Sequence, residues 1–235
     1  MEKLFGTPLP NWTPPPRPVG EVLTGAYVQL ERMDPALHGA DLFRAYQRHD
    51  GLFDYLPYGP FALPEDYTRW ATATACGTDP LFYVLRNRAT GLCGGVASYL
   101  RITPESGSIE VGHINLSPEI AGSRMATEAM FLMMDWAFAA GYRRYEWKCD
   151  ALNMPSRRAA QRLGFSYEGI FRQATVYRQR NRDTAWFSII DEEWPKLRAA
   201  YQAWLAPSNF DAAGRHKMSL ATLTGPLRGA SDPAL

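Results

Sequence analysis

The stretch SPEIAGSRMATEAM, residues 117 to 130, changes character halfway. Pro118 and Gly122 frame a small polar loop, and the chain then runs into a methionine-rich helix whose first turn holds Arg124 and no acid. Aligned peptide dipoles favour negative charge at the start of a helix. A first turn without acids therefore fits a helix capped by an anion from outside the chain. It fits equally an ordinary helix capped by Ser117 or Ser123, because serine is a preferred N-cap. The loop alone leaves both open.

The pattern extends outward on both sides. From Arg124 to about Ala140, Met130, Phe131, Met134, Ala137 and Phe138 recur at core-facing helical spacing, and Gly141 stops the run. The next strand, YRRYEWKC, alternates Tyr145, Trp147 and Cys149 on one face with Arg144, Glu146 and Lys148 on the other. A helix then begins near Asn153, carries Pro155 in its first turn and ends at Leu163-Gly164. IFRQATVYR and DTAWFSII form a hairpin across QRNR, and a closing helix runs from about Glu193 to Trp204.

Upstream of the loop, GAYVQLERM reads as a strand and DPALHGADLFRAYQ as a helix capped by Asp34 with Pro35 at its first position. An aromatic-rich loop, DGLFDYLPYGPF, leads to a short helix, PEDYTRWATATA. The strands LFYVLRN, GLCGGVASYL and SIEVGHINLS follow. The order predicts an α/β domain: a mixed sheet of about seven strands covered by helices. It spans residues 21–205, after a proline-rich N-terminal extension (1–20) and before a C-terminal tail (206–235) that lacks sustained periodicity.

Composition narrows the function classes. The 235 residues carry a formal net charge of +1, with 46% hydrophobic and 21% charged residues, so no global charge steers the chain to nucleic acid or acidic membranes. Between Arg143 and Arg182, ten basic side chains face three acids, a local +7 that leaves −6 elsewhere. That segment is either a surface that attracts phosphates or a solvated face. Cys76, Cys93 and Cys149 lack metal-ligand spacing and read as reduced thiols of a cytoplasmic protein. No span approaches transmembrane length, and the N-terminus has no apolar leader.

Several motifs in order carry a family resemblance: a strand, PEIAGSRMATEA opening a long helix, a strand, N-x-x-S at Asn153 and Ser156, LGF at 163–165, EG at 168–169, and a hairpin. The arrangement resembles the GNAT superfamily, the Gcn5-related N-acetyltransferases, over roughly residues 22 to 200, with the RimJ/RimL branch of ribosomal-protein acetyltransferases the most similar. The resemblance implies a mostly antiparallel sheet splayed between the fourth and fifth strands, with helices on both faces. It implies acetyl-CoA as co-substrate, its pyrophosphate held by main-chain N–H groups of the loop, which in the family reads Q/R-x-x-G-x-G/A. Here that motif is Glu119-Ile120-Ala121-Gly122-Ser123-Arg124; Gly122 is kept, while Glu119 and Arg124 depart from the pattern. A helix N-terminus still offers unpaired donors and partial positive charge.

On this resemblance the cofactor site comprises Ile114, Asn115 and Leu116 on the splayed strand, Ala121, Gly122, Ser123, Arg124, Met125, Ala126 and Thr127 at the loop and helix start, and Asn153 and Ser156. Glu110 is the first candidate for base or amine anchor, unless it sits on a solvated strand face. His113 is the second, with an imidazole expected to titrate near neutrality, unless it satisfies a local hydrogen bond. Ser156 matches the serine that donates a hydrogen bond or proton to the leaving thiolate, and alternatively bonds free N–H groups of its helix. Asn153 is expected to cap that helix and to bond the pantetheine amide. Tyr55, Tyr58 and Trp186, with Glu110, are expected to line the acceptor pocket, although aromatic residues more often belong to cores. Some ribosomal acetyltransferases carry a Glu where this chain has Thr175.

The expected function is thus an acetyl-CoA-dependent N-acetyltransferase acting on a primary amine by direct attack, without metal or covalent intermediate. A CoA-binding regulator or scaffold of the same fold is the alternative. The expected partner is an amine acceptor, either a small molecule or a protein N-terminus, with no nucleic acid and no membrane. A homodimer is possible if the two terminal segments reach a neighbour.

Overall fold

Alternation fails on the run Leu81–Leu85, where all five residues are buried, as expected of a strand covered on both faces. Leu81, Tyr83 and Leu85 join one core cluster, while Phe82 and Val84 join a second on the opposite face. The computed structural model, which describes residues 3–235, places that strand third in a sheet of eight. The strands are β1 (Leu23–Thr24), β2 (Val28–Arg32), β3 (Leu81–Asn87), β4 (Cys93–Thr103), β5 (Ser108–Leu116), β6 (Arg144–Asp150), β7 (Ser166–Tyr177) and β8 (Arg180–Ile190). The two-residue β1 is the one beyond the seven expected.

The spatial order is β1-β2-β3-β4-β5-β6-β8-β7. Every neighbouring pair is antiparallel except β5 and β6. A parallel pair needs a crossover, and α3 (Arg124–Ala139) supplies it, with Ser123 as N-cap accepting from Ala126 N–H. The helix buries Met130, Met133, Met134 and Ala137 on the first face of the sheet, beside Tyr99, Tyr145 and Phe187. Its Phe131 and Phe138 stack on Trp194 of α5 (Trp194–Leu205). On the other face α1 (Pro35–Tyr46) and α2 (Pro64–Trp70) pack Leu42, Tyr46 and Tyr67 against Phe82, Val84 and Val96. α1 is capped by Asp34 with proline at its start, as its sequence requires.

Two irregularities position the site. β5 pairs with β6 only from Ser108↔Arg144 to Val111↔Trp147, yet both strands continue, so they part beyond that point. Against β4 the register passes from Ser98↔Gly112 to Val96↔Asn115, so His113 and Ile114 face the single residue Ala97. This is a bulge, with His113 in the left-handed region at φ 50°. Where β5 leaves β6 it is thus irregular, and Gly112, His113 and Ile114 line the opening there.

The β7–β8 hairpin turns at Arg178-Gln179, both at positive φ (47° and 58°), so its strands run through most of the QRNR expected as a loop. A two-residue turn of that hand matches the natural twist of the strands. At the N-terminus, Pro15 and Pro18 are buried, and Pro16 O accepts from Tyr142 Oη at 3.1 Å. Residues 206–235, read from sequence as a tail, fold back on the domain. α6 (Leu220–Thr224) buries Leu220, and Asp232 forms a buried bidentate pair with Arg157 of α4 (Met154–Arg162). Among the described residues no helix is long and apolar enough to cross a membrane.

Candidate active site

The loop between β5 and α3 rests on paired glycines of β4. A Cβ on Gly94 would come 2.8 Å from Ile120, and one on Gly95 2.8 Å from Asn115 O, so the loop reaches its place only over bare backbone. Ser117 N–H bonds Gly94 O, while Ile120 and Ala121 N–H bond Ser117 O. Ser123 N–H bonds Ile120 O, and its side chain takes Ala126 N–H. Three main-chain N–H groups, on Gly122, Arg124 and Met125, have no acceptor among the described residues. Gly122 stands at φ 71° with open space where a side chain would be. Ser123 therefore caps the helix, as one reading of the loop expects, and three main-chain donors are left without an acceptor, as the other requires.

Two arginines stand near this loop, and they differ in their surroundings. Arg124 donates to Tyr27 Oη at 2.8 Å and lies between two aromatic rings, 4.7 Å from the Tyr27 centroid and 3.2 Å from that of Phe210 in the C-terminal segment. Arg162, at the end of α4, reaches the first turn of α3, where Nη2 meets Thr127 Oγ1 at 3.2 Å. It has no carboxylate within ion-pair distance among the described residues, and burial holds its pKa below the ordinary value. An uncompensated, partly desolvated guanidinium beside three free N–H groups is a site for anions.

Beyond the loop, the parting of β5 and β6 opens a cleft of about 550 Å³. Of the residues singled out from sequence it brings together Glu110, His113, Ile114, Asn153, Ser156 and Tyr55. Asn115 and Leu116 lie at the loop end of β5, next to the segment 121–127. Asn153 caps α4 by accepting Ser156 N–H at 3.1 Å. Ser156 Oγ accepts from Trp147 Nε1 at 3.0 Å, and its hydroxyl proton can turn to the neighbouring Cys149 sulfur or into the cleft. Tyr55 Oη bonds Leu152 O at 3.2 Å, so the 50–58 loop reaches across to the turn before α4.

Glu110 is not on a solvated face. It is 3% exposed, and its carboxylate meets Arg101 Nη1 at 2.7 and 2.8 Å and Lys148 Nζ at 3.0 Å. Lys148 also meets Glu146 at 2.7 Å, Glu146 meets Arg144 at 2.6 Å, and Arg144 holds Glu168. Charges of alternating sign thus run from the cleft across the sheet. Burial raises the Glu110 pKa against the pull of Lys148 and Arg101. Burial also acts to raise Glu146, but Lys148 and Arg144 outweigh it and the net shift is downward. Glu110 thereby becomes a better proton acceptor than an exposed glutamate while staying paired.

Three expectations are corrected. His113 does not titrate near neutrality: it lies between Tyr58 (5.6 Å) and Phe82 (4.9 Å), and burial, helped by the charge of Arg101, lowers its pKa to about 4. It is a neutral wall of the cleft and a weak base. Tyr58 does not line the cleft; its ring packs on Trp70 at 4.2 Å and backs His113. Trp186 does not line it either, because its ring supports the Lys148 ammonium 3.7 Å away and borders a separate hollow with Ile170 and Phe171. Cys149 is buried and pushed up to about 11, so its thiol is no nucleophile at neutral pH. No cluster of His, Cys, Asp or Glu among the described residues has the make-up of a metal site.

The cleft and loop also hold Lys148, Arg101, Trp147, Arg162 and Arg182, of which Lys148, Arg162 and Arg182 belong to the basic run read from sequence as a phosphate-attracting or solvated face. The alternation of Arg144, Glu146 and Lys148 was the signal for the first; the others are brought in by long-range pairing.

The family model for the acetyltransferase (GNAT) domain matches residues 28–166. A crystal structure of a GCN5-related N-acetyltransferase from Brucella melitensis is 46% identical, covers 92% of this chain and 100% of its own, and superposes with a TM-score of 0.90. A probable acetyltransferase (GNAT family) from Chromobacterium violaceum is 39% identical, with 83% and 99% covered and a TM-score of 0.77. At 19% identity, an acetyltransferase from Salmonella typhimurium that modifies the N-terminal serine of a ribosomal protein shares the fold, with 72% and 99% covered and a TM-score of 0.60. No curated protein matches the chain. The chain belongs to the GNAT family and is an N-acetyltransferase.

Proposed function

We propose that the protein transfers the acetyl group of acetyl-CoA to a primary amine by direct attack within a ternary complex. The observation that carries this reading is the joining of two half-sites. The donors of Gly122, Arg124 and Met125 with Arg162 form an anion site, and the cleft holding Glu110 and Ser156 opens beside it. The residues fit coenzyme A: the loop and Arg162 would hold its phosphates, and residues 114–116 and Asn153 its pantetheine arm. Bound there, the thioester supplies the activated acetyl carbon.

The reaction forms an N–C bond, breaks a C–S bond, takes one proton from nitrogen and gives one to sulfur. Glu110, kept basic by burial, takes the first proton directly or through water. Ser156, its oxygen already satisfied by Trp147, turns its hydroxyl proton toward the departing sulfur. Bringing both reactants into one cleft supplies much of the remaining advantage. We further place the protein in the cytoplasm, with its three cysteines free.

The test is thiol release from acetyl-CoA with a panel of primary amines. Glu110→Gln and Ser156→Ala should each lower kcat by about 10²- to 10⁴-fold, the range for acid–base groups, with acetyl-CoA affinity held within threefold. Equal losses in affinity and rate would assign both residues to binding. Stoichiometric binding without turnover of any amine would reject the proposal.

A further inference from the structure

We infer that the acceptor amine carries an anionic group, a carboxylate or a phosphate, and that Arg182 receives it; this rests on the acetyl-transfer reading above. Arg182 stands at the start of β8 and lines the cleft with Cys149, Asp150, Asn153 and Ser156. Its guanidinium makes no hydrogen bond and has no carboxylate within 4 Å among the described residues, and its Nε is buried without a partner. Its guanidinium carbon lies 5.7 Å from the centre of the Tyr177 ring.

The other cations of the cleft are already matched. Arg101 gives its Nη1 to both oxygens of Glu110, and Lys148 divides its ammonium between Glu110 and Glu146. Asp150, on the strand beside β8, is bonded by Tyr177 Oη at 3.0 Å and Leu152 N–H at 2.8 Å rather than by Arg182. A buried donor left without an acceptor is costly, and a guanidinium is built to take two oxygens of one planar or tetrahedral anion. Arg182 shares the cleft wall with Ser156, the group placed at the departing sulfur. An amine held for attack there has its remaining substituents within reach of Arg182, so a negative substituent gains a partner that a neutral one does not.

Matched acceptor pairs test this: an amino acid against its carboxamide, and phosphoethanolamine against ethanolamine, each followed by thiol release from acetyl-CoA. The anionic member of at least one pair should be preferred by about tenfold or more in kcat/KM, the range for a charge-assisted contact, and the pair that shows it tells carboxylate from phosphate. Arg182→Gln should remove the preference mainly through KM, and Arg182→Lys should restore part of it. Thermal denaturation of both variants confirms that they are folded. Turnover of amines with no anionic preference, or a preference unchanged in Arg182→Gln, overturns the assignment while leaving acetyl transfer intact. Turnover of no amine overturns both.

Discussion

The pair Arg157–Asp232 ties the last residues of the chain to the helix that carries Ser156, and removing one partner should be felt in both stability and rate. The contact is bidentate, with Nε to Oδ2 at 2.6 Å and Nη2 to Oδ1 at 2.5 Å, and its side chains are 8% and 0% exposed. The third guanidinium nitrogen, Nη1, holds Ala151 O at 2.8 Å, two residues before the Asn153 cap. Asp232→Ala leaves a guanidinium in a buried place without its counter-charge. Such a cut costs about 3–5 kcal/mol, and in a chain of this size about 2–4 °C of Tm per kcal/mol. A fall of roughly 6–20 °C is expected.

The companion variant separates charge from packing. Replacing both partners with apolar residues of similar volume, Arg157→Met with Asp232→Leu, removes the buried charges together and should recover most of the lost Tm. It does not recover the bond to Ala151, so acetyl transfer should remain reduced in the double variant though the fold is restored. Scanning calorimetry and the thiol-release assay on the four members of the cycle measure both. A Tm change under about 2 °C in Asp232→Ala, against the magnitude expected for a buried pair, would show that the C-terminal segment is not held in this way.

Arg162→Gln should weaken acetyl-CoA binding by about tenfold or more, the scale of a charge-assisted hydrogen bond, while Arg124→Gln, already engaged by Tyr27 and Phe210, should change it much less; calorimetric titration decides, and equal losses would make Arg124 the phosphate ligand. His113 titrates at about 4 when folded against an ordinary 6.5, so between those values the unfolded chain binds more protons and stability falls as pH falls. The loss is at most about 3 kcal/mol, and denaturant unfolding of His113→Gln over pH 7 to 4 should show a flatter profile; an equally steep one refutes the burial of a neutral imidazole. Glu128 of α3 takes the N–H groups of Ala26, Tyr27 and Val28 at 2.6 to 2.9 Å. Glu128→Ala should therefore cost about 1–3 kcal/mol, the penalty for stranding the buried Val28 donor, and Gly25→Ala should also destabilise because its Cβ would overlap that carboxylate. Urea unfolding with either variant within 1 kcal/mol of the parent would count against the arrangement.

Where local chemistry decides geometry, the sequence was legible. Asp34-Pro35 and Asn153 with Pro155 mark helix starts because a capping side chain and a fixed φ act within a few residues. The loop of 117–123 was legible for the same reason. The face of Arg144, Glu146 and Lys148 was visible as an alternation, but what it faces was not. Register Glu110↔Glu146 sets a buried acid of β5 beside that row, and only pairing across the sheet could turn a face that reads as solvated into a charge ladder. Trp186 shares the face of Lys148 through the register Lys148↔Trp186, yet it lies under the ammonium rather than in the cleft. Asp232 stands 75 residues from Arg157, and no local pattern links them.

The same distinction accounts for the two arginines at the anion site. Adjacency in the chain favours Arg124, the first residue of α3, but a side chain leaving the first turn of a helix points back toward its N-terminal flank. There the flank offers Tyr27 and the folded-back Phe210, and the guanidinium is held between their rings. Arg162 leaves the far end of α4 and reaches the donors from the side, where Thr127 alone meets it. Phe210 lies beyond the matched domain, so in this chain the C-terminal segment engages Arg124, while Arg162 stands at the first turn of α3 without a paired carboxylate among the described residues.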